Sequence, residues 1–156
     1  MRYAIINSPL GALTLGSTDR GLAEVRFGAC VPDGGVVDLN ANAEPMRQLQ
    51  SYFKGERTRF DLRIDPAGTA FQRSVWTELL DIPYGATRSY GDIAKRLNKP
   101  GASRAVGMAN HKNPIAIVIP CHRVVGQDGS LTGYAGGIHL KQKLLSIEQR
   151  ERTLFT

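Results

Sequence analysis

Cysteine is scarce in this chain: Cys30 and Cys121 are the only two among 156 residues. Two thiols cannot build the disulfide framework of a small secreted scaffold, which points to a reducing compartment. Together with His111, His122 and His139 they match no zinc-binding spacing. The chain also lacks any apolar run long enough to cross a bilayer, and its N-terminus has no signal-peptide core. The expectation is a soluble, cytoplasmic protein with no membrane partner. There is no internal repeat and no low-complexity tract, which excludes a solenoid.

What is present is a globular composition, 42% hydrophobic, in a length that suits one or two domains. The net charge is +6, and its placement is uneven. Residues 1–66 carry eight Lys/Arg and eight Asp/Glu, whereas residues 67–156 carry twelve and six. The whole excess therefore lies in the second stretch, which favours contact with a polyanion such as nucleic acid there.

Tyr3–Asn7, Leu13–Ser17 and Leu22–Phe27 read as strands separated by tight turns, and suggest a small antiparallel sheet. Residues 28–42, rich in Gly, Asp and Asn, read as a loop. Met46, Leu49, Tyr52 and Phe53 recur at helical spacing before Gly55, and Phe60–Ile64 reads as one more strand. The break at Asp65-Pro66-Ala67-Gly68 coincides with the change in charge balance, so the expected domains are 1–66 and 67–156. In the second, Thr69 is a suitable N-cap for a helix through Leu80, and Ser89 with Asp92 for a short helix after it. Asn98-Lys99-Pro100-Gly101 is a turn, and Ala102–His111 forms another short helix with Ala105, Val106 and Ala109 inward. Two short helices joined by a tight turn have the outline of a helix-turn-helix, an outline shared by many hairpins that bind nothing. A last helix is expected from about Ile138 to Arg150, burying Leu140, Leu144, Leu145 and Ile147.

Between these helices runs Ile115-Ala116-Ile117-Val118-Ile119-Pro120, apolar and mostly β-branched, which reads as a buried strand. At its end come Cys121, His122 and Arg123. A thiol reacts as a thiolate, and a neighbouring imidazole and guanidinium both favour that charged form. From the residues alone, Cys121 can equally be a structural cysteine with His122 and Arg123 turned to solvent.

Ile119-Pro120-Cys121-His122-Arg123-Val124, preceded by Asn113-Pro114 and followed by Gly133-Tyr134-Ala135-Gly136-Gly137, closely resembles the O6-alkylguanine-DNA alkyltransferases, or methylated-DNA–protein-cysteine methyltransferases. Ser89-Tyr90-Gly91-Asp92-Ile93-Ala94 and Arg104-Ala105-Val106-Gly107 stand in the right order, so the likeness covers about residues 67–150. It implies an α+β chain: a small N-terminal sheet-and-helix domain, then a mainly helical, winged-helix-like domain carrying the helix-turn-helix. It also implies direct DNA repair without a cofactor. An alkyl group passes irreversibly from guanine O6, less readily from thymine O4, to the protein's own cysteine, once per molecule.

By this resemblance Cys121 is the acceptor, His122 the water-linked base and Glu148 the carboxylate that orients His122. Asn113 braces the turn before the active site, and Tyr90 assists at the flipped nucleotide. A base inside a duplex must leave the stack to be reached, and Arg104 matches the finger that fills the vacated place. Ala102, Ala105, Gly107 and Lys112 are expected along the DNA, in the minor groove of the duplex. Pro120, Val124, Tyr134, Ala135 and Gly136 are expected around the alkylguanine, with the carbonyls of Cys121 and Val124 accepting from the exocyclic amine and the N–H of Ala135 donating to O6. Some members have serine at Ala135 and an apolar residue at Asn110. The N-terminal zinc ligands of the zinc-bearing members are absent, so no metal is expected. The resemblance also implies a monomer, open to cooperative binding on DNA and placed at the nucleoid of a bacterium. Two other readings remain: a non-catalytic lesion-binding protein, which usually lacks the cysteine, and a cysteine hydrolase, for which adjacent Cys and His are awkwardly placed.

Overall fold

In the computed structural model, residues 1–134 and 136–154 are described, with side chains through Gln149. The chain divides into two compact units, one of Met1–Ala67 with Pro114–Val118, the other of Gly68–Asn113 with the chain from Ile119 onward. The expected second domain is thus interrupted, because Pro114–Val118 belongs with the first unit.

The first unit is built on strands β1 (Arg2–Ser8), β2 (Gly11–Thr18), β3 (Gly21–Phe27) and β4 (Val36–Val37), in the order β3-β2-β1-β4. The β1–β2 and β2–β3 pairs are antiparallel. The expected loop 28–42 contributes β4, which pairs parallel to β1, and a 3₁₀ turn at Asn40–Asn42. The strand expected at Phe60–Ile64 shrinks to one bridge between Ile64 and Leu22. Leu13, Leu15, Leu22, Val25, Leu49 and Tyr52 are buried here, along with Ile115 and Ile117. Helix α1 (Ala43–Phe53) ends where Gly55 takes φ +75°. Its following N–H groups return to the carbonyls of Ser51 and Tyr52, a Schellman stop that needs a left-handed residue.

In the second unit, α2 (Ala70–Leu80) and α3 (Tyr90–Arg96) each begin with a full capping box, Thr69 with Gln72 and Ser89 with Asp92, so two orphan amides at each start are satisfied. α3 stops at Asn98, with φ +59°. Asn98 N–H reaches the Lys95 carbonyl and Lys99 N–H the Ala94 carbonyl, again a Schellman motif, with asparagine in glycine's place. The turn leads into α4 (Ser103–His111). The Trp76 indole donates to the Ala109 carbonyl at 2.8 Å and Arg96 pairs with Glu78 at 2.8 Å. Both members of the helix-turn-helix are thereby fastened to α2. β5 (Arg88–Ser89) pairs parallel with β6 (Val124–Val125), and α5 (Ile138–Leu154) closes the unit.

Three expectations about packing fail. Ala105 is exposed, and Asn110 is buried on α4 beside Val106 and Ala109. Leu140, Leu145 and Ile147 are only half-buried, while Lys141, Leu144 and Glu148 form the inner stripe of α5. The run 115–119 is buried, yet it is not a strand. Only Ile115 bridges, to Val25. Beyond it the Val118 N–H bonds the Ala116 carbonyl around Ile117, whose φ is +72°. Such a three-residue turn at a β-branched residue is sterically costly. In the second unit the Cys121 N–H then bonds the Ile119 carbonyl around Pro120, at φ −81° and ψ 63°, the favourable inverse form of that turn. Alternating strand geometry cannot accommodate these reversals, so periodicity alone misread the segment.

Candidate active site and nucleic-acid interface

Cys121, His122 and Arg123 form a short 3₁₀ turn, and all three are buried. In so tight a turn consecutive side chains diverge, so Cys121 and His122 serve different neighbours. His122 Nε2 lies 2.7 Å from Glu148 Oε2. Arg123 grips the same carboxylate with two groups, Nε at 2.8 Å from Oε1 and Nη2 at 3.0 Å from Oε2. Its Nη1 donates to the Ile82 carbonyl at 2.7 Å, and its guanidinium lies 5.7 Å from the centre of the Tyr84 ring. Burial pushes the Glu148 carboxyl up, but hydrogen bonds and charge from His122 and Arg123 outweigh it and hold the group well below the usual range. Burial pulls the His122 imidazole down, against the opposing pull of Glu148. An ionised carboxylate only accepts, so a neutral His122 must carry its proton on Nε2. That leaves a lone pair on Nδ1, a buried atom with no partner among the described residues.

Burial raises the Cys121 thiol. A hydrogen bond from Asn113, the charge of Lys141 and a hydrogen bond from Tyr134 all act in the opposite direction. Asn113 also donates through Nδ2 to the Ile119 carbonyl at 2.9 Å, so it spans the turn at Pro120. Tyr134 is buried, and burial followed by the Cys121 charge drives its phenol well up; it stays a donor. Pro120 and Val124 are buried beside Cys121 in the chain, while Gly136 is half-buried. Gly133 and Gly137 hold φ of +35° and +97°, which explains glycine at those places. Ala135 lies outside the described residues.

Tyr90 is half-buried on α3. Its hydroxyl donates to the Thr132 carbonyl at 3.3 Å and accepts from Thr132 Oγ1 at 3.1 Å. Lys141 Nζ donates to the same carbonyl at 2.9 Å and lies 5.9 Å from the centre of the Tyr90 ring. Gly107 is close to this ring, since a Cβ there would lie 3.8 Å from it. Lys141 joins the Tyr90 cluster to the Cys121 cluster, because its charge acts on the thiol. Burial lowers Lys141, and the thiolate opposes that fall. Lys141 was missed in the sequence. Its signal was position, three residues before Leu144 and seven before Glu148 on the inward stripe.

Arg104, Ala105, Met108 and His111 on α4 and Lys112 just after it are exposed and recur at helical spacing, so they share one open face. Ala102 and Gly107 are half-buried. Met108, 69% exposed, is a further member of this face that sequence reasoning missed. A large apolar side chain standing open on a short basic helix was the available clue.

The fold and the site define a class: a helix-turn-helix unit that shelters one cysteine beside a His–Glu–Arg cluster. Residues 70–150 match the 6-O-methylguanine DNA methyltransferase DNA-binding domain, and residues 1–66 match the ribonuclease-like domain of the same enzymes. The methylated-DNA–protein-cysteine methyltransferase of Methanosarcina acetivorans is 50% identical over 153 residues, covering 95% of this chain and 98% of that one. Its namesake from Mycolicibacterium paratuberculosis is 49% identical, covering 96% and 93%. The crystal structure of Mycobacterium tuberculosis OGT in complex with DNA superposes with a TM-score of 0.91 at 47% identity, covering 100% of both chains. The chain belongs to the methylated-DNA–protein-cysteine methyltransferase family.

Proposed function

We propose that this protein repairs alkylated DNA by direct reversal, moving a methyl or larger alkyl group from guanine O6, and less readily from thymine O4, onto Cys121. The observation that carries this reading is a buried thiol held by Asn113 and Tyr134 in the same turn as a histidine oriented by a carboxylate. Glu148 fixes the Nε2–H tautomer of His122, and Nδ1 draws the thiol proton through a water. The Cys121 sulfur attacks the alkyl carbon, an S–C bond forms, the C–O6 bond breaks, and the base takes up a proton at N3 with the help of Tyr90. A thioether has no low-energy route back to the thiolate, so each chain reacts once.

The target base has to be rotated out of the helix. The open face of α4 supplies the contact with the minor groove, with Arg104 in the vacated stack and Lys112 toward phosphate. Ala102, Ala105 and Gly107 allow close approach of the helix. Pro120, Val124, Tyr134, Ala135 and Gly136 surround the flipped base. The protein acts as a monomer on double-stranded DNA, with cooperative binding open to it, and works at the nucleoid. Among the described residues no helix is long and apolar enough to cross a membrane. The lesion-binding alternative leaves Cys121 without a purpose. The hydrolase alternative leaves the α4 face without one.

The test is duplex DNA carrying radiolabelled O6-methylguanine. The expected result is label on Cys121, at most one methyl per chain, and none on Cys121→Ser. Turnover beyond stoichiometry would overturn the reading, as would label elsewhere.

A further inference from the structure

The carbonyl of Cys121 accepts two hydrogen bonds. A carbonyl oxygen has two lone pairs, and this one accepts from the Val124 N–H and, at 3.3 Å, from Asn110 Nδ2. The resemblance assigns that carbonyl to the exocyclic amine of guanine, and here it already serves two donors. Asn110 itself is 2% exposed. Its Oδ1 is buried and has no partner among the described residues. Turning the amide over would set Oδ1 against the Cys121 oxygen, two acceptors face to face, so the orientation with Nδ2 on the carbonyl is the attractive one. What remains is a fixed, desolvated acceptor beside the acceptor cysteine, with no donor among the described residues. Buried acceptors are rarely left in that state, because the lost hydration is not recovered.

We propose that Asn110 is a specificity-determining residue. Its Nδ2 holds the Cys121 carbonyl, and its Oδ1 receives a hydrogen from the exocyclic amine of the flipped guanine. The inference rests on the alkyl-transfer reading and deepens it by naming a side chain that, beside the Val124 carbonyl, tells guanine from other alkylated bases. O4-methylthymine has no such amine. Neither does O6-methylhypoxanthine, which is otherwise the same purine with the same reacting carbon. Asn110 also lies on α4, so one helix presents Arg104 to the duplex and Asn110 to the base.

The experiment compares second-order rates of methyl transfer from duplex DNA bearing O6-methylguanine and from the same duplex bearing O6-methylhypoxanthine. The intact chain is expected to favour guanine by about five- to tenfold, the worth of one satisfied buried hydrogen bond. In Asn110→Leu that ratio falls severalfold, chiefly through loss on guanine, and what discrimination remains belongs to the Val124 carbonyl. Transfer from the hypoxanthine duplex reports that the variant is folded and its thiol competent; Asn110→Ala substitutes where leucine prevents folding. A ratio near one in the unaltered protein would overturn the proposal. So would an unchanged ratio in the variants, with both rates falling together. Failure of the unaltered protein to accept methyl from either duplex strikes the alkyl-transfer reading itself, so the two failures are separable.

Discussion

The two units differ in the ionisable groups they bury. In the first, the buried polar side chains are neutral, and three of them engage the backbone: Thr14 donates to the Gly28 carbonyl, Asn42 to those of Arg2 and Asp38, and Gln48 both donates to and accepts from the Asp61 backbone while also donating to Glu44. In the second, Asn110 also engages the backbone, at the Cys121 carbonyl, but burial falls besides on the ionisable Cys121, His122, Arg123, Lys141 and Glu148. Neutral groups stitched to the backbone hold a sheet and helix in place at small cost. Buried ionisable groups are costly unless paired, and pairing shifts their protonation. Chemistry is therefore expected where the molecule has accepted the more expensive kind of burial.

This contrast can be tested. The largest effect is expected from Glu148→Gln, which strips the carboxylate charge from a buried guanidinium. The loss is expected to be about 3–5 kcal/mol in urea unfolding, together with a severe drop in methyl transfer. The pH dependence has a definite sign. The folded Glu148 carboxyl titrates below its ordinary value of 4.5, so its contribution is complete above that value and disappears as the pH falls below it. The stability gap between the two proteins should hold at neutral pH and close in acid. A constant gap down to low pH would contradict an ionised Glu148.

Next comes Arg104→Ala, which should slow transfer from duplex DNA by about tenfold or more while sparing the reaction with free O6-benzylguanine, since only the duplex needs a base displaced. Equal loss on both substrates would remove the finger role. A smaller effect is expected from Lys141→Met. Without the ammonium the Cys121 thiol titrates higher, so the acid limb of the rate–pH profile should move to higher pH, with about a tenfold loss at neutral pH for each unit moved. Lys141→Arg should restore it. A profile that does not move would leave Lys141 as packing alone. The smallest effect belongs to the first unit. Gln48→Met leaves the Asp61 N–H and carbonyl without their partner and should cost about 1–3 kcal/mol, with the transfer rate unchanged. A large rate effect there would erase the contrast.

Local chemistry was legible where it is written locally. Thr69 with Gln72 and Ser89 with Asp92 announce their helices because a capping box needs only four residues. The three long strands follow from alternation and turns. Cys121, His122, Glu148 and Asn113 could be named through the resemblance, but what Arg123 does could not be read from its spacing. Its grip on Glu148 depends on how α5 returns, a tertiary fact. The run 115–119 was misread because apolar β-branched residues favour a strand on average, and nothing local announces an isoleucine at positive φ. Lys141 was overlooked for the opposite reason. Lysine on a helix is ordinarily solvated, and only the stripe it shares with Leu144 and Glu148 marks it as buried.

The two opposed three-residue turns at Ile117 and Pro120 bear on how this family can vary. Connecting segments usually accept insertions and deletions easily. Here, five residues lie between Ile115 and Cys121, and two reversals fall among them. Asn113 Nδ2 on the Ile119 carbonyl and the inverse turn at Pro120 set the thiol's place within the second unit, so a residue more or fewer there is expected to displace it. The length of this stretch should therefore be stricter than its composition: Ile119 can become valine with little consequence, while a single deletion between Ala116 and Pro120 is lethal to transfer.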